Sequence, residues 1–348
     1  AQAQAPQAPS MVPANADRPV EVELVAAARA VVPGETTWVA VRLNPNPGWH
    51  TYWRYAGDVG SSFSAAWDLP SGWSAAAFIW PVPHRIPSPP LASYGYEREH
   101  LLIAPIEVAE SARVGSTARI AARVTWVVCR EECVSDDVDL SIARPVAASG
   151  AIDSAMMHPI VAERRRAPSS QGDWDVRAAV DSSDVIILAR PPSAATGAAL
   201  PLESRAGATH LMDFFVDSAA VIDHAARVRA RWAGSLIELR VQRSQYANGA
   251  PPRVSGVIVF GNPDSVGVGN HRALEVSAPV EASVAEARIA LGASAEESGG
   301  IAMGALLTAA LFGLLGGTLL NLMPCVLPVL SIKLFGLATM ANQSGGAA

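Results

Sequence analysis

Arg123-Val-Thr-Trp-Val-Val-Cys-Arg-Glu-Glu-Cys-Val-Ser135 is the stretch that decides the fold. It holds two of the three cysteines in the 348-residue chain, Cys129 and Cys133. In a continuous strand, positions four residues apart are separated by about 13 Å, which is more than a disulfide can span. The chain must therefore turn between the two cysteines, and the polar residues 130–132 stand where a three-residue hairpin loop would lie.

Apolar and polar side chains alternate on both sides of this turn, as they do in half-buried strands. The apolar positions are Ile120, Ala122, Val124, Trp126 and Val128 before the turn, and Val138, Leu140 and Ile142 after it. Both cysteines share the parity of the polar positions, so we expect both sulfur atoms to face solvent. Opposed residues of a hairpin have Cα atoms about 4.5–5.5 Å apart, which fits a disulfide.

Three interpretations of the cysteine pair remain open on these residues. A structural staple is disfavoured, because closing a loop of about five residues removes only roughly 2 kcal/mol of unfolded-state entropy. A short, exposed disulfide is better suited to thiol exchange. A zinc site would need a nearby His or a second Cys pair, which this stretch does not offer, so we predict no metal.

Composition limits the class of protein. The chain is 50% hydrophobic with a net charge of −6 and a pI near 5.7, which predicts two soluble domains without the clustered basic face of a nucleic-acid-binding protein. The opening Ala1-Gln-Ala-Gln-Ala-Pro6 is typical of a mature N-terminus left after removal of a signal peptide. We therefore expect the body of the chain outside the cytoplasm, where disulfides persist.

The N-terminal half indicates β structure after a leader. Residues 1–17 are rich in Ala, Gln and Pro, which predicts disorder. Short alternating segments and frequent Pro and Gly predict a β-sandwich over residues 18–147. We expect Val20, Val22, Leu24, Val39, Val41, Leu43, Trp67, Trp73 and Trp80 in its core, and His50 and His84 in loops.

A linker and a second β-rich domain follow. Near-helical spacing of apolar residues predicts a helical linker over residues 148–171. Its Met156, Met157 and His158 are ligand types that suit Cu(I), but we interpret them as packing residues. Strand-like segments predict a second β-sandwich over residues 172–284, which contains no cysteine. We expect Asp213, Asp217, Asp223 and His224 on its surface.

The C-terminal segment indicates a membrane helix. No charge occurs between Glu297 and Lys333, and residues 301–322 could cross about 30 Å of hydrocarbon as one helix. Pro324 and Pro328 are expected to break this helix on either side of Cys325. We therefore predict a linker over residues 285–300, and over residues 301–340 a transmembrane helix broken at a Pro-Cys motif.

Five segments resemble the DsbD and ScsB group of thiol:disulfide interchange proteins. One of them, Asn321-Leu-Met-Pro-Cys-Val-Leu-Pro328, is similar to the first cysteine motif of the DsbD membrane domain. The others are similar to the N-terminal periplasmic region of the group: Gly48-Trp-His-Thr-Tyr-Trp53, Trp67-Asp-Leu-Pro70, Tyr94-Gly95, and Trp126-Val-Val-Cys-Arg-Glu-Glu-Cys-Val134.

The resemblance implies a fold and a set of site residues. The fold is mainly β, with two immunoglobulin-like β-sandwich domains followed by the broken transmembrane helix. The implied site residues are the redox pair Cys129 and Cys133, the membrane Cys325 with Pro324 and Pro328, and a cap loop containing Tyr94, Gly95 and Tyr96. The chain departs from better-known members in having fewer residues between the cysteines, and Ser93 where they place an aromatic cap residue.

The resemblance also implies a function in the bacterial inner membrane, with the N-terminal domains in the periplasm. Reducing equivalents would pass from Cys325, with the remainder of the DsbD-type membrane domain, to the Cys129–Cys133 disulfide and then to periplasmic thioredoxin-like proteins. The chain would be an N-terminal fragment of a protein-disulfide reductase, incomplete by itself and without a cofactor. A link to cytochrome c biogenesis or copper tolerance would follow.

A different class of protein is compatible with the same residues. In this alternative, the chain is a β-sandwich adhesion or assembly module with one anchor in the lipid bilayer. Cys129 and Cys133 would then form a passive structural disulfide. Thiol trapping separates the two hypotheses, because a passive disulfide captures no partner.

Overall fold

The computed structural model describes residues 9–15, 17–192, 212–261, 272–293, 311, 312 and 314. It is mainly β, with 53% strand and 9% helix. The described residues up to 293 belong to one compact unit, and the helical residues 311, 312 and 314 belong to a second. Among the described residues, no helix is long and apolar enough to cross a membrane. Pro324, Cys325 and Pro328 lie outside the described residues.

The first β-rich region consists of two antiparallel sheets. The strands of one sheet are, in spatial order, β1 (Met11–Val12), β2 (Val20–Ala26), β4 (Thr36–Pro45), β10 (His100–Glu107) and β7 (Ser74–Ala75). Those of the other are β12 (Cys133–Pro145), β11 (Thr117–Cys129), β5 (His50–Gly57), β9 (Leu91–Tyr96) and β8 (His84–Ser88), with β6 (Ser64–Asp68) also paired to β11. A short pair joins β3 (Ala28–Ala30) to β13 (Ala151–Ile152).

The two sheets enclose one hydrophobic core, which makes this region a β-sandwich. The alternation predicted from the sequence is confirmed, because the apolar positions of β2, β4 and β11 are buried together. Trp67, Trp73 and Trp80 pack against this core at partial exposure. The prediction of a disordered leader is wrong at Met11 and Val12, since these residues pair with the free edge of β2.

The helix predicted in the linker is present as α1 (Ser154–Arg166). The side chain of Asp153 caps its first turn by accepting a hydrogen bond from the backbone N–H of Ala155. Ile160 is buried, and Met156 and Met157 pack beside it against the first sandwich. These contacts support the interpretation of the two methionines as packing residues.

The second β-rich region is one connected seven-stranded sheet. Its strands are β14 (Asp175–Val180), β15 (Asp184–Arg190), β16 (Met212–Val216), β17 (Arg229–Ala233), β18 (Leu236–Gln242), β19 (Arg253–Phe260) and β20 (Arg272–Glu281), in the spatial order β16-β19-β20-β14-β15-β18-β17. Among the described strands of this sheet, β14 and β20 are the pair that runs parallel. Helix α2 (Val284–Ala290) covers apolar residues on one face of β14 and β15.

The two β-rich regions share a buried aromatic interface. Trp53 and Tyr94 of the first sandwich belong to the same hydrophobic cluster as Phe214 and Phe215 of the second region. The rings of Tyr94 and Phe215 meet edge to face with their centroids 5.0 Å apart. Such a contact adds to the free energy gained from burial. The second β-rich region therefore supports the first sandwich along β5 and β9.

Polar pairs surround this aromatic interface. Arg85 Nη2 lies 2.6 Å from Asp213 Oδ1, and His224 Nδ1 lies 2.7 Å from Asp58 Oδ1. Asp217 pairs with an arginine of β5 at 3.3 Å. The prediction of Asp213, Asp217 and His224 as ordinary surface residues is therefore wrong. These residues pair with charged partners on the first sandwich. The partners are far away along the chain, so the sequence does not show that they lie opposite.

Candidate redox site

The cysteine hairpin forms as the sequence predicts. Strands β11 and β12 pair in register over their whole length, from Thr117 opposite Pro145 to Cys129 opposite Cys133. The turn is closed by a hydrogen bond from Arg130 N to Glu132 O at 3.0 Å. Cys129 and Cys133 are joined by a disulfide, with their Cα atoms 4.1 Å apart.

The two halves of the disulfide differ in exposure. Cys133 is exposed, but Cys129 is only 3% exposed. The prediction that both sulfur atoms face solvent is therefore wrong for Cys129. The reason is that β5 pairs with the outer edge of β11 and places Tyr52 and Ala56 against this cysteine. Cys133 is therefore the more exposed cysteine of the pair.

Tyr52 is the side chain that links the disulfide to β5. It is 2% exposed, and its hydroxyl oxygen lies 4.0 Å from Cys133 Sγ and 3.2 Å from His50 Nε2. Burial raises the pKa of Tyr52 to about 12, so its hydroxyl group keeps its proton at neutral pH. The disulfide sulfur of Cys133 carries no hydrogen, so the Tyr52 hydroxyl can donate to it while accepting a hydrogen bond from His50 Nε2.

A glycine behind Tyr52 leaves room for its ring. Gly60 adopts a φ of +102°, a left-handed conformation that L side chains rarely adopt. A Cβ at this position would overlap the Tyr52 ring. The loop that follows β5 therefore needs glycine here for two reasons, backbone conformation and ring packing.

His50 lies beside Cys129 in the sheet. The two residues are directly opposed across β5 and β11, so the prediction of a loop at His50 is wrong. Burial lowers the pKa of His50, and the negative charge of Glu97 opposes this shift. The Arg130 guanidinium carbon lies over the ring of the neighbouring Trp49, 5.0 Å from the ring centroid. The site thus combines an imidazole, a phenol and two sulfur atoms.

The residues expected to form a cap loop lie in strand β9. Gly95 is opposed to Tyr52, so Tyr94 and Tyr96 project from the opposite face of the sheet. Tyr94 is buried against Phe215, and Tyr96 donates a hydrogen bond to the carbonyl of residue 81 at 2.7 Å. The prediction of a cap loop at these positions is therefore wrong, because the segment continues the sheet.

Gly95 has a packing role instead. A Cβ at Gly95 would overlap the backbone carbonyl of Thr51. The glycine therefore allows β9 to approach β5 closely below Tyr52. The sequence analysis missed Tyr52 and Gly60 as site residues. The available signal was the alternation of His50 and Tyr52, which share one face of a strand next to the cysteine hairpin.

The described residues contain no group of three or more His, Cys, Asp or Glu side chains placed to hold a metal ion. The chemistry available to the site is that of its sulfur atoms and the neighbouring acid–base groups. The first sandwich thus carries, at the end of a hairpin, a disulfide with one exposed cysteine, which is the kind of bond that thiol–disulfide exchange uses.

Comparisons with known proteins show what the first β-rich region resembles. Residues 17–144 match the sequence model of the family described as thiol:disulfide interchange protein DsbD, N-terminal. This region is therefore similar to the N-terminal domain of DsbD, and the chain is DsbD/ScsB-like. No curated protein sequence matches the chain significantly.

One of the solved structures that the comparison finds supports the fold. The N-terminal periplasmic domain of ScsB from Proteus mirabilis is similar with a TM-score of 0.52 and 14% identity, over 77% of this chain and 97% of that one. Domains 5–6 of the S-layer protein SbsC give a TM-score of 0.18 with 11% identity, over 76% and 97% of the two chains. The sporulation control protein Spo0M from Bacillus subtilis gives 0.21 with 9% identity, over 51% and 81%. The last two are too distant to support an argument.

Proposed function

We propose that this chain is the electron-export part of a protein-disulfide reductase, and that Cys133 is the sulfur that exchanges with partner proteins. The observation that carries the proposal is the unequal exposure of the disulfide within a region similar to the N-terminal domain of DsbD. Cys129 is enclosed by Tyr52 and Ala56, whereas Cys133 is exposed. A partner thiolate can therefore approach Cys133 and displace Cys129.

The exchange proceeds by thiolate attack in both directions. When the site is reduced by a donor, the donor thiolate bonds to Cys133 Sγ, and the bond to Cys129 breaks to leave the Cys129 thiolate. A second donor thiol then releases Cys133 and leaves the donor as a disulfide. When the site delivers electrons, the Cys133 thiolate attacks an acceptor disulfide, and Cys129 closes the original bond. The two thiol protons end on the reduced acceptor.

The wider pathway follows from the DsbD-type family. The donor would be a membrane domain in which Cys325, between Pro324 and Pro328, forms part of the redox pair. The acceptors would be thioredoxin-like proteins of the periplasm, and the chain would be held at the bacterial inner membrane by its C-terminal segment. Acceptors of cytochrome c biogenesis or copper tolerance belong to this proposal. Thiol–disulfide exchange at these residues requires no cofactor.

Thiol trapping tests the proposal. Cys129→Ser leaves Cys133 free, and we expect it to form a stable mixed disulfide with a thioredoxin-like partner, seen as a heavier band on a non-reducing gel. Cys133→Ser is the matched control and should trap little, because Cys129 is buried. Equal trapping by both variants would contradict the assignment to Cys133. Absence of trapping by either variant would favour a passive disulfide in an adhesion or assembly module.

A further inference from the structure

A row of side chains crosses the strands that carry the disulfide. Cys133 is opposed to Cys129, and Cys129 is opposed to His50 on its other side. Tyr52 stands two residues after His50 and shares its face of β5. We propose that His50 accepts and returns the proton of Cys133 through the hydroxyl group of Tyr52. This inference rests on the proposed exchange function and assigns an acid–base residue to it.

The contacts form a continuous path. His50 Nε2 is 3.2 Å from the Tyr52 hydroxyl oxygen, and this oxygen is 4.0 Å from Cys133 Sγ. The His50 and Tyr52 rings meet edge to face, with their centroids 5.2 Å apart. When the neutral imidazole carries its proton on Nδ1, Nε2 accepts the hydrogen bond from the Tyr52 hydroxyl. The lone pairs of that oxygen are then available to the thiol of reduced Cys133.

The proton balance of the delivery step follows from this path. The S–H bond of Cys133 breaks and its proton moves to the Tyr52 hydroxyl oxygen. At the same time the original hydroxyl proton of Tyr52 moves to His50 Nε2. The Cys133 thiolate bonds to one sulfur of the acceptor disulfide, and the other acceptor sulfur leaves as a thiolate. His50 can then return its proton by the same path to a departing thiolate.

The protonation states of the two rings suit these roles. Burial lowers the pKa of His50, so the imidazole is neutral and able to accept a proton at pH 7. Burial raises the pKa of Tyr52 to about 12, so the phenol does not ionise alone. Tyr52 can therefore take the thiol proton only while it gives its own to His50. Without the histidine, the proton of the exposed Cys133 thiol would have to pass to solvent instead.

The charged and titratable groups around His50 come from several elements. Tyr52 on the same strand contacts its imidazole, Cys129 opposes it on β11, and the charge of Glu97 after β9 acts on it. Cys133 on β12 is reached through Tyr52, and Arg130 in the hairpin turn lies over the ring of the neighbouring Trp49. His84 on β8 opposes Gly95, which in turn opposes Tyr52. Glu97 acts to raise the pKa of His50 and so would stabilise the imidazolium formed after proton transfer. Its charge is thus favourable to the transfer from Cys133.

The test is the pH dependence of alkylation of the reduced full chain. Iodoacetamide reacts with thiolates, and peptide mass spectrometry reports the rate at Cys133 between pH 5 and pH 9. We expect His50→Phe to slow this reaction about tenfold at pH 7 and to remove an inflection at the titration of the imidazole. We expect this rate effect to be smaller than the roughly 10²-fold contribution of a general base that is hydrogen-bonded directly to the thiol, because the contact between Tyr52 and the sulfur is long. Tyr52→Phe should give the same loss, and the double variant no further loss.

Two further variants separate proton transfer from structural support. His50→Gln can still accept a hydrogen bond from Tyr52 but cannot hold its proton, so we expect it to be as slow as His50→Phe. His158→Phe replaces an exposed histidine on α1, away from the path, and it should keep the rate and the inflection. A wild-type profile in His50→Phe, or full recovery in His50→Gln, would overturn the proposal.

The alkylation and trapping measurements distinguish the two levels of inference. If Cys129→Ser traps a partner but the profile of Cys133 is unchanged in His50→Phe, exchange stands and the role of His50 is refuted. If no partner is trapped although the inflection depends on His50, the imidazole tunes a thiol that does not exchange, and the exchange function is refuted.

Discussion

Buried His100 should make the stability of the first sandwich depend on pH. His100 is 3% exposed at the start of β10 and stacks on Tyr96, with the ring centroids 4.1 Å apart. Its Nδ1 donates a hydrogen bond to the carbonyl of Arg98 at 3.0 Å, and its Nε2 is 3.3 Å from the hydroxyl of Thr51. Burial lowers the pKa of His100 to about 4, although the bond to Arg98 opposes the shift.

The sign and the magnitude follow from the two protonation equilibria. The unfolded chain binds a proton at His100 near pH 6.5, whereas the folded chain does so only near pH 4. Stability from neutral His100 is therefore present above pH 6.5 and is lost as the pH falls towards 4. A difference of about 2.5 pKa units, at about 1.36 kcal/mol each, corresponds to about 3 kcal/mol.

Urea unfolding of wild type and His100→Gln at pH 7.5 and pH 4 measures this contribution. The free energy of unfolding should fall by about 3 kcal/mol more in wild type than in the variant between the two pH values. Other titrating groups, such as Glu163, whose pKa is raised mainly by burial, occur in both proteins and cancel in the difference. His158→Gln changes an exposed histidine and should keep the wild-type pH dependence. An equal loss in wild type and His100→Gln would refute the reasoning.

Two further predictions concern the packing of the site and of the interface. Gly60→Ala should lower the free energy of unfolding by more than Gly115→Ala does, because only the methyl group added at residue 60 meets the Tyr52 ring. Gly115→Ala should cost about 1–2 kcal/mol, for its positive φ alone. Equal costs in urea unfolding would contradict this contact. Arg85→Met should lower the free energy of unfolding by about 2–3 kcal/mol, because it leaves the half-buried carboxylate of Asp213 without its ion-pair partner. Arg119→Met removes an exposed ion pair and should cost about 0–1 kcal/mol. Similar thermal stabilities of the two variants would argue against the interface.

The sequence predicts the local part of the site well. The spacing of Cys129 and Cys133 requires a turn, and the two-residue period on both sides selects a hairpin in a single register. These constraints act between residues that are close along the chain. The structure confirms the register and the disulfide for that reason.

The sequence does not predict what lies beside the hairpin. The burial of Cys129 depends on the pairing of β5 with β11, which joins residues nearly eighty positions apart. The position of Tyr94 depends on whether its segment is a loop or a strand, and aromatic residues next to glycine fit both. The partners of Asp213 and His224 lie on another β-rich region. Long-range pairing decides each of these cases, and residue types alone leave it open.

The shared aromatic interface has a consequence for the order of folding during synthesis. Strand β12 ends at Pro145, whereas the strand that completes the second region, β20, ends at Glu281, about 135 residues later. At about 5–20 residues per second, the ribosome needs roughly 7–27 s to make this length of chain. Trp53 and Tyr94 lack their partners throughout this interval, although the cysteine hairpin is already complete. The nascent first sandwich thus exposes an aromatic surface for many seconds. This surface can bind chaperones, and it makes the nascent chain prone to aggregation.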